Sequence, residues 1–188
     1  MQEDYNPILL YKPRGEYIVN FPNIEPNDYL LGIATETQIE LLKLYGEKCI
    51  MLDSTHGTNQ HKFYLTTILV NDKDHEGLPV AFLFSSKISS EHFEAFFESI
   101  KAKLPDLKTN VLMSDDTNTF INAWKKVFND EAKHLLCSWH IKRSVHRNLI
   151  AKVKNPSMQQ MKNDLNKIIE ELDKRTFYKH VEDFFYKI

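Results

Sequence analysis

Apolar residues along the chain follow two rhythms, short strand-like runs and stretches spaced three and four apart. CIMLD at 49–53, FYLTTILV at 63–70 and LPVAFLFS at 78–85 are short and apolar, the latter two rich in aromatic and β-branched residues, and the polar NDKDHEG at 71–77 supplies turn chemistry between the last two. Three such runs with short connections predict an antiparallel meander, and their continuous apolar character predicts that both faces become covered. Helical spacing follows. Phe93, Phe96, Phe97, Ile100 and Leu104 fall on one helical face behind Ser89 and Ser90, which can cap it. Phe120, Ala123, Trp124, Val127 and Phe128 repeat the pattern behind Asp116 or Thr117 as the cap. NVLMS at 110–114 and HLLC at 134–137 read as short strands. Upstream, Ile39, Leu41, Leu42 and Tyr45 predict a helix from Thr35 that stops near Gly46. Before it, Pro7, Pro13, Pro22 and Pro26 interrupt any long helix, while Tyr5, Tyr11, Tyr17 and Phe21 offer apolar contacts to short strands. At the other end, Met158, Met161, Leu165, Ile168, Ile169 and Leu172 predict one amphipathic helix, with Phe177, Val181, Phe184 and Phe185 continuing apolar.

The resulting order, β-β-β-α-β-α-β and then helix, describes an α/β fold: a mixed sheet with helices on its faces. It is the element order of the ribonuclease H-like fold. Residues 1–34 form a lead-in segment, 35–150 the core, and 151–188 a helical region. Phe96, Phe97, Trp124 and Phe128 belong to the core on this pattern.

Composition changes the picture little: 188 residues, 42% hydrophobic and 27% charged, with five Gly and seven Pro, exclude a disordered or collagen-like chain. No apolar run approaches the ~18–20 residues that span a bilayer, and MQEDYNPILLYKPRGEY has no secretory pattern, so a secreted or membrane protein is not expected. Two cysteines, Cys49 and Cys137, argue against a disulfide framework. Charge is more informative. Residues 1–132 carry 12 Lys and Arg against 20 Asp and Glu, and residues 133–188 carry 12 against 6, so a net charge of −2 hides an acidic body and a basic C-terminal part. Such a split suits a polyanionic partner, although unevenly distributed solvated faces produce it too.

Two carboxylates stand at strand ends. Asp53 follows Ile50-Met51-Leu52 and Asp115 follows Val111-Leu112-Met113-Ser114. A carboxylate buried there needs pairing, hydrogen bonds or a metal. Two converging on adjacent strands suit a hard divalent cation, which takes oxygen ligands and serves phosphodiester chemistry. Each can equally start a turn, as Asp53-Ser54-Thr55 and Asp115-Asp116-Thr117 allow, and spacing alone leaves both readings standing. Cys137 and His140 come one helical turn apart if a helix starts near Ser138, but a structural zinc site wants four ligands, and Cys49, His56, His61 and His134 could complete the set only by folding. Zinc is therefore not expected. A Cys nucleophile has no recognisable oxyanion element. A buried Cys and a hydrogen-bonded His account for the pair more simply. HIKRSVHRNLIAKVK at 140–154 holds Lys142, Arg143, Arg147, Lys152 and Lys154 with no acid. Arg143 and Arg147 share a helical face, as do Lys142 and His146, and such a face either contacts phosphates or is simply solvated.

Taken together, D-S-T-H-x-T-N at the first strand end, the G-x-P-V-A-F strand, S-D-D followed by N-A-W and V-F, and C-x-W-H resemble the MULE (Mutator-like element) transposase domain, over about residues 35–148. The resemblance implies a ribonuclease H-like DDE core that cuts and rejoins DNA with two Mg²⁺ or Mn²⁺ ions. Its first acid falls on Asp53 and its second on Asp115, with Asp116 as the neighbouring register. Its C-x-x-H pair falls on Cys137 and His140 and positions the site or the DNA. Its third acid is a Glu after a helical insertion. Asp164, Glu170, Glu171, Asp173, Glu182 and Asp183 match no motif for it, so that acid is expected beyond residue 188, with 151–188 the start of the insertion. No zinc-knuckle array or FAR1- or WRKY-type module is recognisable before residue 35. DNA, as transposon ends and target, is the implied partner, a homo-oligomer the implied assembly and the nucleus the implied location. The rival function is a domesticated or inactive domain that binds DNA or protein without cutting. A ribonuclease H-like scaffold with another partner is the third reading.

Overall fold

Among the described residues the element order is β1 (Ile8–Lys12), β2 (Leu30–Ile33), α1 (Glu36–Tyr45), β3 (Ile50–Thr55), β4 (Tyr64–Asn71), β5 (Gly77–Ser85), α2 (Ser90–Lys103), β6 (Val111–Ser114), α3 (Thr119–Phe128), β7 (Lys133–Leu136), α4 (Ser138–Lys152), α5 (Met158–Glu170) and α6 (Lys174–Tyr186). The structure is a computed structural model and describes residues 6–115, 117–129, 131–153 and 158–186. The chain divides into two units, Met1–Leu135 and Leu136–Ile188.

In the first unit the three apolar runs form the expected meander. β3 pairs antiparallel with β4, and β4 antiparallel with β5. β6 then joins the other side of β3 in parallel, which requires a crossover, and α2 provides it. The seven-stranded sheet has the order β1-β2-β5-β4-β3-β6-β7. The lead-in segment thus does more than enter the core: β1 and β2 extend the sheet past β5.

Local chemistry sets the helix ends. Thr35 Oγ1 accepts from the Gln38 amide at 3.1 Å while Gln38 Oε1 accepts from the Thr35 amide at 2.9 Å, a reciprocal capping box that starts α1. Ser89 starts α2 as expected, accepting from the His92 amide. α3 starts behind Asn118, whose side chain makes no cap bond; the expected Thr117 does that work, its Oγ1 accepting from the Thr119 amide at 3.2 Å, while the Asp115 carboxylate accepts from the Thr117 amide at 3.2 Å and turns the chain just before. Asp116, the other expected cap, lies outside the described residues, as do Tyr5 and Lys154.

Burial alternates along β4 and β3, so the expectation that both sheet faces are covered does not hold. Ile50, Leu52, Ile68, Val70, Leu83 and Leu112 face the core built with α1, α2 and α3. Phe93 packs edge-on against Phe120 at 4.6 Å, and Trp124 stacks on Phe128 at 4.1 Å, so the expected helix aromatics are core, Phe128 at its margin. Approach is close: a Cβ on Gly32 of β2 would lie 2.9 Å from the Phe96 ring. The alternate positions, including Met51, Leu65, Leu69, Phe82 and Phe84, are partly exposed and form the other face. Tyr11 and Tyr17, expected as apolar contacts, are 58% and 72% exposed. The interior also takes up one lysine. Lys12 is 1% exposed, and its ammonium donates to the carbonyls of Pro13, Pro26 and Asp28 at 3.2, 2.9 and 2.6 Å, matching its three donors.

The second unit contains α4, α5 and α6, α4 packing on α5 and α5 on α6. The helix expected from Met158 forms as α5, and the apolar continuation from Phe177 lies in a separate helix, α6. Asp173 accepts from the Thr176 amide at 2.7 Å, the N-cap geometry that starts α6, and leaves Leu172 in the connection, 98% exposed. No helix among the described residues is long and apolar enough to cross a membrane.

Candidate active site

Asp53 lies in β3 and Asp115 directly follows β6, and these two strands are parallel neighbours. Their register pairs Ile50 with Leu112 and Met51 with Met113, and carrying it on by two residues sets Asp115 level with Asp53. Residues at matching positions of parallel strands point to the same side, so both carboxylates belong to the partly exposed face, opposite the core. The expectation that these are buried charges is corrected: both are partly exposed, as strand-end residues on the open face would be.

Hydrogen bonds orient both groups. The Thr55 hydroxyl donates to Asp53 Oδ2 at 3.2 Å, and Thr67 of β4 is the cross-strand partner of Asp53. Asp115 Oδ1 takes the Thr117 amide, and the Asp115 carbonyl takes the Ser114 hydroxyl at 3.1 Å. Ser114 is in turn 2.8 Å from His134 Nε2, so with the serine proton committed to the carbonyl the imidazole donates through Nε2. His134, weighed above as a zinc ligand, thus ties β7 to the strand that carries Asp115.

Beyond β3 the chain turns through residues 56–63. Asn59 organises it: its Oδ1 accepts from the amides of His61 and Phe63, both at 3.1 Å, and its Nδ2 donates to the Phe63 carbonyl at 2.8 Å. His56 packs edge-on against Tyr64 at 6.2 Å, and His61 stacks on Phe63 at 5.7 Å. Cys49 is partly buried, and burial pushes its thiol up, away from thiolate chemistry. Among the described residues no three His, Cys, Asp or Glu side chains form a group that could hold a metal ion. The oxygen donors of Asp53 and Asp115 nevertheless fit Mg²⁺ or Mn²⁺, which ordinarily take one or two carboxylates and complete the shell with water and phosphate.

In the second unit, α4 starts at Ser138 as the sequence predicts. Cys137 is its cap residue, with the Ile141 amide bonding the Cys137 carbonyl at 3.1 Å, and His140 lies in the first turn. Both are partly buried. Arg143 and Arg147 are exposed on α4, whereas Lys142 is partly buried and pairs with Glu170 of α5. Sequence reasoning missed Trp139. It is 57% exposed, with the Arg143 guanidinium 5.1 Å from its ring centroid, and the i, i+4 spacing of tryptophan and arginine was the available signal.

No curated protein matches the chain. The MULE transposase domain family matches residues 49–144, a stretch that begins just before β3, takes in Asp53 and Asp115, and ends inside α4 after Cys137 and His140. The chain belongs to the MULE transposase domain family.

Proposed function

We propose that the chain is the ribonuclease H-like core of a DDE-type transposase, cutting and joining DNA strands with divalent metal ions held by Asp53 and Asp115. The observation that carries this reading is the parallel register of β3 and β6, which sets the two carboxylates level on the open face of the sheet. Bound there, Mg²⁺ or Mn²⁺ ions supply activation of a water or hydroxyl nucleophile and neutralise charge on the phosphodiester. The chain's own groups prepare for that. Thr55 and the Thr117 amide orient the carboxylates, and the half-open setting leaves room for water and phosphate oxygens. Arg143 and Arg147 contact DNA phosphates, with Lys142 positioned beside them by Glu170, and the helix that bears them contains no acid. Cys137 and His140, at the cap and in the first turn of that helix, position the site or the DNA on this reading. On this reading the chain acts in the nucleus, on transposon ends and target DNA, as a homo-oligomer.

The test is Mn²⁺-dependent nicking of transposon-end DNA. Nicking that Asp53→Asn and Asp115→Asn each abolish supports the reading, and nicking indifferent to both rejects it. The basic face of α4 also favours a second reading, a transposase-derived domain that binds DNA without cutting. Binding that survives Asp53→Ala and falls steeply with salt, without metal-dependent nicking, would establish it.

A further inference from the structure

The exposed side of α4 carries a tryptophan that the assignment of its arginines to phosphates leaves without a role. Trp139, Arg143, Arg147 and Ile150 are exposed and follow one another at spacings of four, four and three, so they line one face of the helix. The Arg143 guanidinium lies 5.1 Å from the Trp139 ring centroid, and the His140 ring meets the indole at 87° with centroids 4.8 Å apart. With both neighbours in place Trp139 is still 57% exposed. Among the described residues neither Arg143 nor Arg147 meets a carboxylate, whereas the adjacent Lys142 is taken up by Glu170.

An arginine on an exposed helix samples many rotamers, and a cation–π contact restricts it to those that lie against the ring. The five N–H donors stand around the rim of the guanidinium, so a ring against its face leaves them able to bond an anion. The indole thus holds Arg143 extended along the helix surface with its donors uncommitted. Charge decides the occupant. α4 contains no acidic residue, and residues 133–188 carry 12 Lys and Arg against 6 Asp and Glu. A polyanion answers Arg143 and Arg147 together, as the phosphates of a DNA backbone do. An apolar protein partner would cover Trp139 and Ile150 but would leave two arginines desolvated and uncompensated.

We propose that Trp139 is a positioning residue for DNA, holding the Arg143 guanidinium against a backbone phosphate. The proposal deepens the DNA reaction set out above and rests on it for the choice of ligand, but the contact is measurable without metal or cleavage. It also gives the exposed indole a role that phosphate charge alone does not supply.

The experiment titrates the full chain with end-labelled duplex DNA in EDTA at several salt concentrations and reads fluorescence anisotropy. Trp139→Leu keeps apolar bulk and removes the π face. It is expected to weaken binding about two- to thirtyfold and to reduce the slope of log affinity against log salt by about 1, as Arg143→Gln does. Trp139→Phe, which restores a π face, should recover most of the affinity. In the Arg143→Gln background, Trp139→Leu should cost less than about twofold, because the two side chains act as one contact. A second measurement needs no variant. Trp124 is 1% exposed, so the emission that acrylamide quenches in the parent comes from Trp139, and duplex DNA should protect it. Parent-like affinity of Trp139→Leu, an unchanged salt slope, a full loss persisting without Arg143, or no duplex binding by the parent would each overturn the proposal. Failure of the catalytic reading shows elsewhere, as nicking indifferent to Asp53→Asn, and leaves this coupling untouched.

Discussion

The sheet unit and the helical unit use the same sequence signal and turn it into different amounts of burial. In Met1–Leu135, alternating and helical apolar positions converge on one core, where Phe93, Phe96 and Phe97 are fully buried. In Leu136–Ile188, amphipathic patterning is equally clear, yet among the described residues Leu149 is the buried hydrophobic, and α5 and α6 bury none. Periodicity therefore says which side of a helix is apolar, not how much apolar surface finds a partner. On the proposed function, the difference also separates two kinds of chemistry. The well-packed unit can hold Asp53 and Asp115 in a fixed register, as a metal site requires. The sparsely packed unit presents Arg143 and Arg147 on an exposed helix, enough for phosphate contacts that need charge more than precision.

The comparison breaks most easily in the core. Phe93 touches Phe97 and Phe120 and is 0% exposed, so Phe93→Ala should lower unfolding free energy by about 3–5 kcal/mol in urea titrations. A loss below about 1 kcal/mol would mean that the sheet unit is no better packed than the helices.

A second test uses a polar pocket under α2. His92 is 2% exposed, its Nδ1 lies 2.7 Å from Ser89 Oγ and its Nε2 3.6 Å from Asp28 Oδ2, with Lys87, Glu91 and Lys12 also near it. Burial holds the imidazole below its ordinary value, and Asp28 offsets this only in part. The fold thus prefers neutral His92. Its contribution is fully present above the unfolded value of about 6.5 and is lost as pH falls from there toward the lowered folded value. Asp28 acts at lower pH. Burial alone would raise its carboxyl, but hydrogen bonds from Lys87, the Glu25 amide and Ser86 bring it below the usual range. Its support is present above the unfolded value of about 3.9 and is lost as pH drops through the folded one. Urea midpoints should fall between pH 7 and 5, and His92→Gln should flatten that decline. An unchanged slope in the variant would remove His92 from the account. Smallest of all, Leu172→Ser, at a 98% exposed position, should change unfolding free energy by less than about 0.5 kcal/mol, and a larger loss would reveal packing in the helical unit.

Much of the fold was legible because its determinants are local. Thr35 with Gln38, Ser89 before the Phe93 stripe, and the β-branched runs around the 71–77 turn each specify an element within a few residues. What escaped depends on distant partners or on competing local bonds. Asp115 captured the Thr117 amide, so α3 begins behind Asn118, and Asp173 captured the Thr176 amide, which starts α6 as a separate helix after α5. Residue type placed Asp53 and Asp115 at strand ends, but nothing local revealed that β3 and β6 would be parallel neighbours in matching register. Tyr29 stacks on Phe63, joining segments 34 residues apart across β5, beyond the reach of any periodicity.

The central claim is that Asp53 and Asp115 form one divalent-metal site, and unfolding measured in EDTA and in Mn²⁺ addresses it directly. Level like charges on neighbouring strands repel by roughly 0.2–1 kcal/mol, so Asp53→Asn should match or exceed the parent's stability in EDTA. Added Mn²⁺ should then stabilise the parent in proportion to the logarithm of its concentration and leave Asp53→Asn and Asp115→Asn unmoved. An equal metal response in the parent and both variants would contradict the account.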